Sequence, residues 1–272
     1  MPQRLLFITA DDFGMDPGID DGILEGIQAG GIGNVSIWTA YPHLNAIPEA
    51  IRSVLTRACT GIHWSLFPPE IDINRPLDWA SALSLAFPDR RRMDAERTTW
   101  DAAFDALDRQ GVRPAFINGH QHVHLFPGWV KAVCSWAVMR GITVMRRPVE
   151  VGSGGFFAKV RRPALMVLES LGSLAVRLAR RFPLIWVPTL CRWGRSFTFE
   201  AVFDGLSETS PDIKIELMTH PGRPSDRYLR ETRSPSDHLG QLTQVCRHDL
   251  PAIIARHGFR LARLDGRPLN NG

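Results

Sequence analysis

LLFITADDFG, residues 5–14, sets an apolar run directly against two adjacent carboxylates and a Phe-Gly turn. Leu5 to Ala10 has the length, apolar content and β-branched residues of a buried strand. A core strand gains nothing from charge at its tip. Two neighbouring carboxylates also repel unless a cation or hydrogen-bond donors hold them. Two plain accounts exist: Asp12 caps the next helix, or Asp11 and Asp12 both sit in a solvated loop. What the other strands deliver to the same place decides between these accounts and a built site.

Working outward, apolar runs alternate with helical patterns. Helices are predicted over 17–29, 44–58, 94–110, 128–140, 164–181 and 198–206, with a mostly helical stretch over 237–257 interrupted at Pro251. Further strands are predicted over 34–40, 60–65, 115–118, 142–145, 213–218 and 258–264, and a polar loop over 222–237. This alternation predicts an α/β chain with a parallel sheet or barrel. No composition shift marks a boundary, so one domain is expected over 1–272, with insertions near 66–92 and 151–210.

The 272 residues are 44% hydrophobic and 22% charged, enough for a sizeable core. A net charge of +4 is too small to argue for nucleic acid, and no nucleic-acid partner is expected. Cys59, Cys134, Cys191 and Cys246 are far apart and form no CxxC pair. They read as free thiols of a reducing compartment, so a cytoplasmic location is expected. No apolar run is long enough for a spanning helix. Neither a Gly-rich phosphate loop nor a Gly-x-Ser-x-Gly elbow occurs, which leaves dinucleotide binding and serine catalysis without support.

The other strand ends carry histidine. His63 lies in GIHWSL, His120, His122 and His124 in GHQHVH, and His220 in MTHPG. A lone His at a strand end is usually a hydrogen-bonded loop residue. Four strand tips with Asp or His are another matter, because sites form at the C-terminal edge of parallel sheets and barrels. Asp with His is the ligand mixture of a metal centre that keeps open positions. On an extended strand, His-x-His-x-His projects three rings to one face. Gly119 and Pro127 imply that the chain is already turning there, so one His ligates while another stands behind it or faces substrate.

In this order and at these separations, TADDFG, GIHWSL, GHQHVH and MTHPG resemble the YdjC-like carbohydrate deacetylases. That family includes chito-oligosaccharide and hopanoid-biosynthesis-associated enzymes. The resemblance runs from Leu5 to about Leu264 and is weakest between Gly152 and Ser210. It implies a distorted (β/α) barrel of polysaccharide-deacetylase type and one divalent ion, magnesium or zinc. It also implies hydrolysis of the N-acetyl group of an amino sugar, as an oligosaccharide or a glycolipid. Carried over residue by residue, it implies Asp12, His63 and His120 as metal ligands, Asp11 as general base and His220 as general acid. Arg146, in MRRPVE, is implied to orient Asp11 or bind substrate, and His122, His124 and Trp64 are assigned supporting or substrate contacts. Asn118-Gly119 stands where members often have Asp-Ser or Asn-Ala, and Trp64-Ser65 where they often have Leu-Asn. Both departures bear on substrate preference.

Two rivals stay open at this point. A two-carboxylate glycoside hydrolase needs no metal and releases sugar, not acetate. A metal-dependent sugar-binding protein needs neither base nor acid. For a lipid-linked sugar, the basic amphipathic stretch 156–186 suits contact with an anionic membrane surface; the plainer account is a helix covering the barrel. A homodimer also stays open.

Overall fold

The structure, a computed structural model, describes residues 4–66, 87–149, 163–191, 198–204, 206, 212–232, 236–267 and 269. Most of the insertion expected near 66–92 lies outside the described residues, as do 151–162, 192–197, 205 and 207–210 of the one expected near 151–210. The basic start of the amphipathic stretch, Lys159 to Arg162, lies outside them too.

Eight strands form one parallel sheet: β1 (Arg4–Phe13), β2 (Asn34–Trp38), β3 (Cys59–Trp64), β4 (Phe116–Gly119), β5 (Val144–Val149), β6 (Ile185–Cys191), β7 (Lys214–Thr219) and β8 (Phe259–Leu261). The order β2-β3-β4-β5-β6-β7-β1 closes when β1 pairs back onto β2, giving a seven-stranded (β/α) barrel. β8 enters differently. It pairs with Arg4–Leu6 at the start of β1, whereas β2 pairs with β1 from Thr9 onward. The seam is a fork, and Asn34 holds it. Its Nδ2 donates to the carbonyls of Ile8 (3.2 Å) and Ala262 (3.5 Å), and its Oδ1 accepts from the Leu264 amide (2.7 Å).

Nine helices lie among the described residues: α1 (Pro17–Gln28), α2 (Glu49–Leu55), α3 (Arg90–Arg109), α4 (Pro127–Met139), α5 (Pro163–Leu178), α6 (Phe199–Asp204), α7 (Asp226–Thr232), α8 (His238–Val245) and α9 (Leu250–Arg256). Three expectations are corrected. The stretch 237–257 is two helices, and Pro251 does not break it; it sits in the first turn of α9, where its missing N–H is no loss. The polar loop 222–237 contains α7. The helix expected over 44–58 is only Glu49–Leu55, starting after Pro48. Among the described residues no helix is long and apolar enough to cross a membrane.

Alternation along the strands divides the interior in two. Leu6, Ile8 and Ala10 of β1 face the helices and join the main core. Phe7 faces the other way and meets Cys59, Phe116, Val144 and Val187 inside the barrel. Two residues further along those five strands stand Thr9, Gly61, Asn118, Arg146 and Thr189, all on the same inward parity. Gly61 is required there, because a Cβ would come within 2.4 Å of the Phe116 ring. An apolar plug thus crosses the barrel on the N-terminal side, and a polar layer lies above it toward the C-terminal end.

Candidate active site

Strand alternation would send Asp11 and Asp12 to opposite faces. The register of β1 against β2 shifts between Ala10 and Phe13, and Asp12 takes a φ of 71°. Left-handed backbone costs a non-glycine residue roughly 1–2 kcal/mol, and Asp is among those that tolerate it. The irregularity brings both carboxylates to the tips of β3 and β4. It also explains why both lie within β1 and not beyond its end.

Asp12 Oδ1 lies 3.0 Å from His63 Nε2 and 3.2 Å from His120 Nδ1, and the two nitrogens are 3.3 Å apart. One ligand atom from each residue fits within a 4.8 Å span. Asn118 sets the His63 tautomer. Its Nδ2 donates to Asp11 Oδ1 (3.2 Å), so its Oδ1 faces His63 Nδ1 (2.6 Å) and accepts that nitrogen's proton. The Nε2 lone pair of His63 is left toward Asp12, as a ligand requires. Burial alone would raise the Asp12 carboxyl, but His120, His63 and His220 hold it well below the usual carboxylate range.

Asp11 is held by a different set. Ser36 Oγ donates to its Oδ1, Arg146 Nη1 donates to its Oδ2, and Arg146 Nη2 donates to its Oδ1 (3.0 Å). Burial opposes ionisation here too, and the Arg146 guanidinium overrides it. The other edge of the guanidinium grips Glu216, through Nε to Oε2 (3.1 Å) and Nη2 to Oε1 (2.9 Å). Thr189 Oγ1 donates to Glu216 Oε2 (2.5 Å). Within this cluster, with the imidazoles neutral as ligands, the three carboxylates Asp11, Asp12 and Glu216 exceed the one cation, Arg146, by two charges. That excess matches one divalent cation.

His220 follows β7 and places Nε2 3.8 Å from Asp12 Oδ2. Its amide donates to Gln241 Oε1 (2.6 Å) and its carbonyl accepts from His238 Nδ1 (2.7 Å). Burial lowers the pKa of the ring, against the pull of Asp12 and Asp11. Side-chain exposure shows which side is open: His120 and His220 keep 14% and 16%, while Asp12 and His63 keep 3% and 2%.

The remaining sequence candidates part company. His120–Leu125 is a 3₁₀ turn with positive φ at Gln121 and His122, so the three rings do not share one face. His124 accepts from the Gly119 amide at Nδ1 (2.9 Å) and donates from Nε2 to the Arg146 carbonyl (3.2 Å). It is a buried neutral clamp between the turn and β5, its pKa pushed down to about 3 chiefly by burial and by Arg146. His122 is buried beside it, its pKa lowered by the same causes. Trp64 has the opposite parity to His63. It is fully buried against Trp100 and Trp129, with Nε1 donating to Glu96 (2.8 Å), and does not stand at the open side of the site.

Ser36, Asn118, Thr189 and Glu216 were not singled out as site residues from sequence. The signal was parity: each is a polar residue inside an apolar strand, and Glu216 stands four before His220 on the same strand face.

A family model described as YdjC-like protein matches residues 5–256. The carbohydrate deacetylase of Mus musculus is 28% identical over 301 aligned positions, covering 97% of this chain and 95% of the mouse protein. The chitooligosaccharide deacetylase of Citrobacter koseri is 24% identical, covering 95% of this chain and 97% of its own. A solved Enterococcus faecalis V583 protein, named for cellobiose-phosphate cleavage, superposes with a TM-score of 0.67 at 16% identity, over 96% of this chain and 97% of its own. At that identity the likeness concerns the fold alone.

Proposed function

The chain belongs to the YdjC-like protein family, and from that premise we propose that it is a metal-dependent hydrolase removing the N-acetyl group from an amino sugar. One observation carries the reading. The two adjacent carboxylates have different company, Asp12 with two imidazole nitrogens and Asp11 with a guanidinium. The names of the curated relatives supply the substrate class and favour a chitooligosaccharide-like chain.

Asp12, His63 and His120 are the residues that would hold the ion. Two imidazoles with one carboxylate suit zinc and other transition metals better than magnesium, which prefers oxygen. When bound, a divalent cation supplies Lewis-acid chemistry: it polarises a carbonyl and makes water a better nucleophile near neutral pH.

The chain's own residues move the protons. Asp11 Oδ1 already accepts three hydrogen bonds and Oδ2 only one, so Oδ2 keeps a lone pair for the proton of the attacking water. An amide nitrogen leaves poorly until protonated, and His220 gives it a proton from the open side. The proton taken by Asp11 then returns to His220, which balances the cycle. The glycosidase rival needs a protonated carboxyl, whereas Arg146 favours the ionised form of Asp11.

Metal content and turnover, measured on the same variants, test this division. Asp12→Asn is expected to lose both, because a neutral amide oxygen is a poorer ligand. Asp11→Asn is expected to keep metal and lose turnover by about 10²- to 10⁴-fold. The opposite pattern exchanges the two roles, and near-full activity in either variant would remove that carboxylate from the chemistry.

A further inference from the structure

At the end of the barrel opposite the site lies a cavity of about 780 Å³. Its walls come from the N-terminal ends of the strands, including Leu5, Phe7, Val144, Val187 and Lys214, and from the segment that follows β8. The fork explains it. Only here is β8 inserted beside β1, and a barrel widens as strands are added. Phe7, Val144 and Val187 belong to the apolar plug, which separates this cavity from the polar layer above. The N-terminal face of such barrels ordinarily serves stability. An opening of small-molecule size is not needed for that.

Two chemistries meet in it. Its inner wall is apolar, through Phe7, Val144, Val187 and Leu264. Its mouth is cationic: Arg113, Lys214, Arg260, Arg263 and Arg267 face one carboxylate, Asp265. Arg263 is consumed by Asp265 and the Arg57 carbonyl, and Arg113 is paired with Asp108. Lys214 is exposed and makes no ion pair among the described residues, whereas Arg260, also exposed, has a partner already and would share its guanidinium with a ligand. Register places it further. Leu5 is the partner of Lys214 on β7 and of Arg260 on β8. The two cations therefore flank one leucine in a single row across three strands, on the face that Leu5 turns to the plug. Cations above a low-dielectric wall concentrate an attractive field for anions.

We propose that this cavity binds an amphipathic anion, its alkyl chain or ring against Phe7, Val144 and Val187 and its phosphate or carboxylate between Lys214 and Arg260. The site is independent of the hydrolytic centre.

Isothermal titration of the full chain with octyl phosphate, octanoate, octanol and inorganic phosphate tests the proposal. At least one of the two alkyl anions is expected to bind saturably at one per chain, and their ranking identifies the head group. Octanol and inorganic phosphate, each lacking half of the recognition, are expected to bind at least tenfold more weakly. The double variant Lys214→Glu/Arg260→Glu, which changes only exposed side chains, is expected to weaken the alkyl anion at least tenfold and leave metal content unchanged. Ala262→Phe, which narrows the cavity with every charge in place, is expected to weaken it as well. Octanol binding as tightly as the alkyl anions, an unaltered affinity in the double variant, or no saturable binding up to millimolar ligand would each overturn it.

Discussion

Arg146 spends its guanidinium on two carboxylates at once, and that shared grip gives Glu216 a role in the site. Glu216 holds Nε and Nη2, which fixes the guanidinium plane, and the fixed plane presents Nη1 and Nη2 to Asp11. Glu216→Gln keeps the volume but turns an NH₂ group toward a guanidinium that also only donates. Arg146 then tilts, and Asp11 loses its placement. Turnover is expected to fall about 10- to 100-fold, the scale on which small misplacements act, with metal content unchanged. Unaltered turnover would show that Asp11 is placed without Glu216. His63→Ala and His120→Ala are expected to do the reverse and lose metal from a folded protein; elemental analysis beside a circular dichroism spectrum checks both. The Asp and His residues at strand tips were legible because charge at the end of an apolar run is conspicuous. Glu216 and Asn118 were not, because they sit below the tips, two inward steps before His220 and one before His120, where a single polar residue reads as noise in a strand.

At the scale of elements, α1 carries a further buried acid outside the site. Asp20 accepts the Gly14 amide at 2.5 Å, and burial with the nearby Asp16 and Asp21 lifts its pKa from 3.8 to about 7. Between those two values the fold holds a proton that the unfolded chain has released. Stability contributed by that proton is therefore full below about pH 4, is lost as pH rises toward 7, and changes no further above it. Asp20→Asn keeps an acceptor for Gly14 and removes the titration. Its unfolding free energy is expected to exceed the wild type's at pH 8, by at most roughly 4 kcal/mol, and to match it near pH 4. Equal urea midpoints at both pH values would contradict this. Elements also show where periodicity misleads. β6 escaped sequence reading because Pro188 interrupts its apolar run, and proline argues against a central strand. Gly119 and Pro127 announced the turn at 120–125, but its 3₁₀ form was not legible, because the two positive φ values at Gln121 and His122 have no glycine to signal them.

For the whole molecule, alternating apolar runs and helical patterns were enough to read a parallel α/β sheet or barrel with its site at the C-terminal edge, and the family resemblance narrowed it to a barrel. The fork was beyond reach: β8 is three residues long, and its placement rests on the side chain of Asn34. Asn34→Ala leaves the carbonyls of Ile8 and Ala262 and the amide of Leu264 without this partner. A loss of roughly 1–3 kcal/mol is expected, read as a lower urea midpoint, and an unchanged midpoint would show that the seam holds without it. The fork, the plug and the polar layer form one design along the barrel axis, with apolar packing below and balanced charge above. In the function proposed above, the charged layer serves deacetylation with a bound metal. Mass spectrometry of N-acetylated chitooligosaccharides incubated with the protein, with and without a chelator, tests that most directly. The expected result is a product of unchanged chain length that has lost an acetyl group as acetate, blocked by the chelator and restored by added divalent metal. Shorter sugars without acetate, or acetate release indifferent to the chelator, would contradict it.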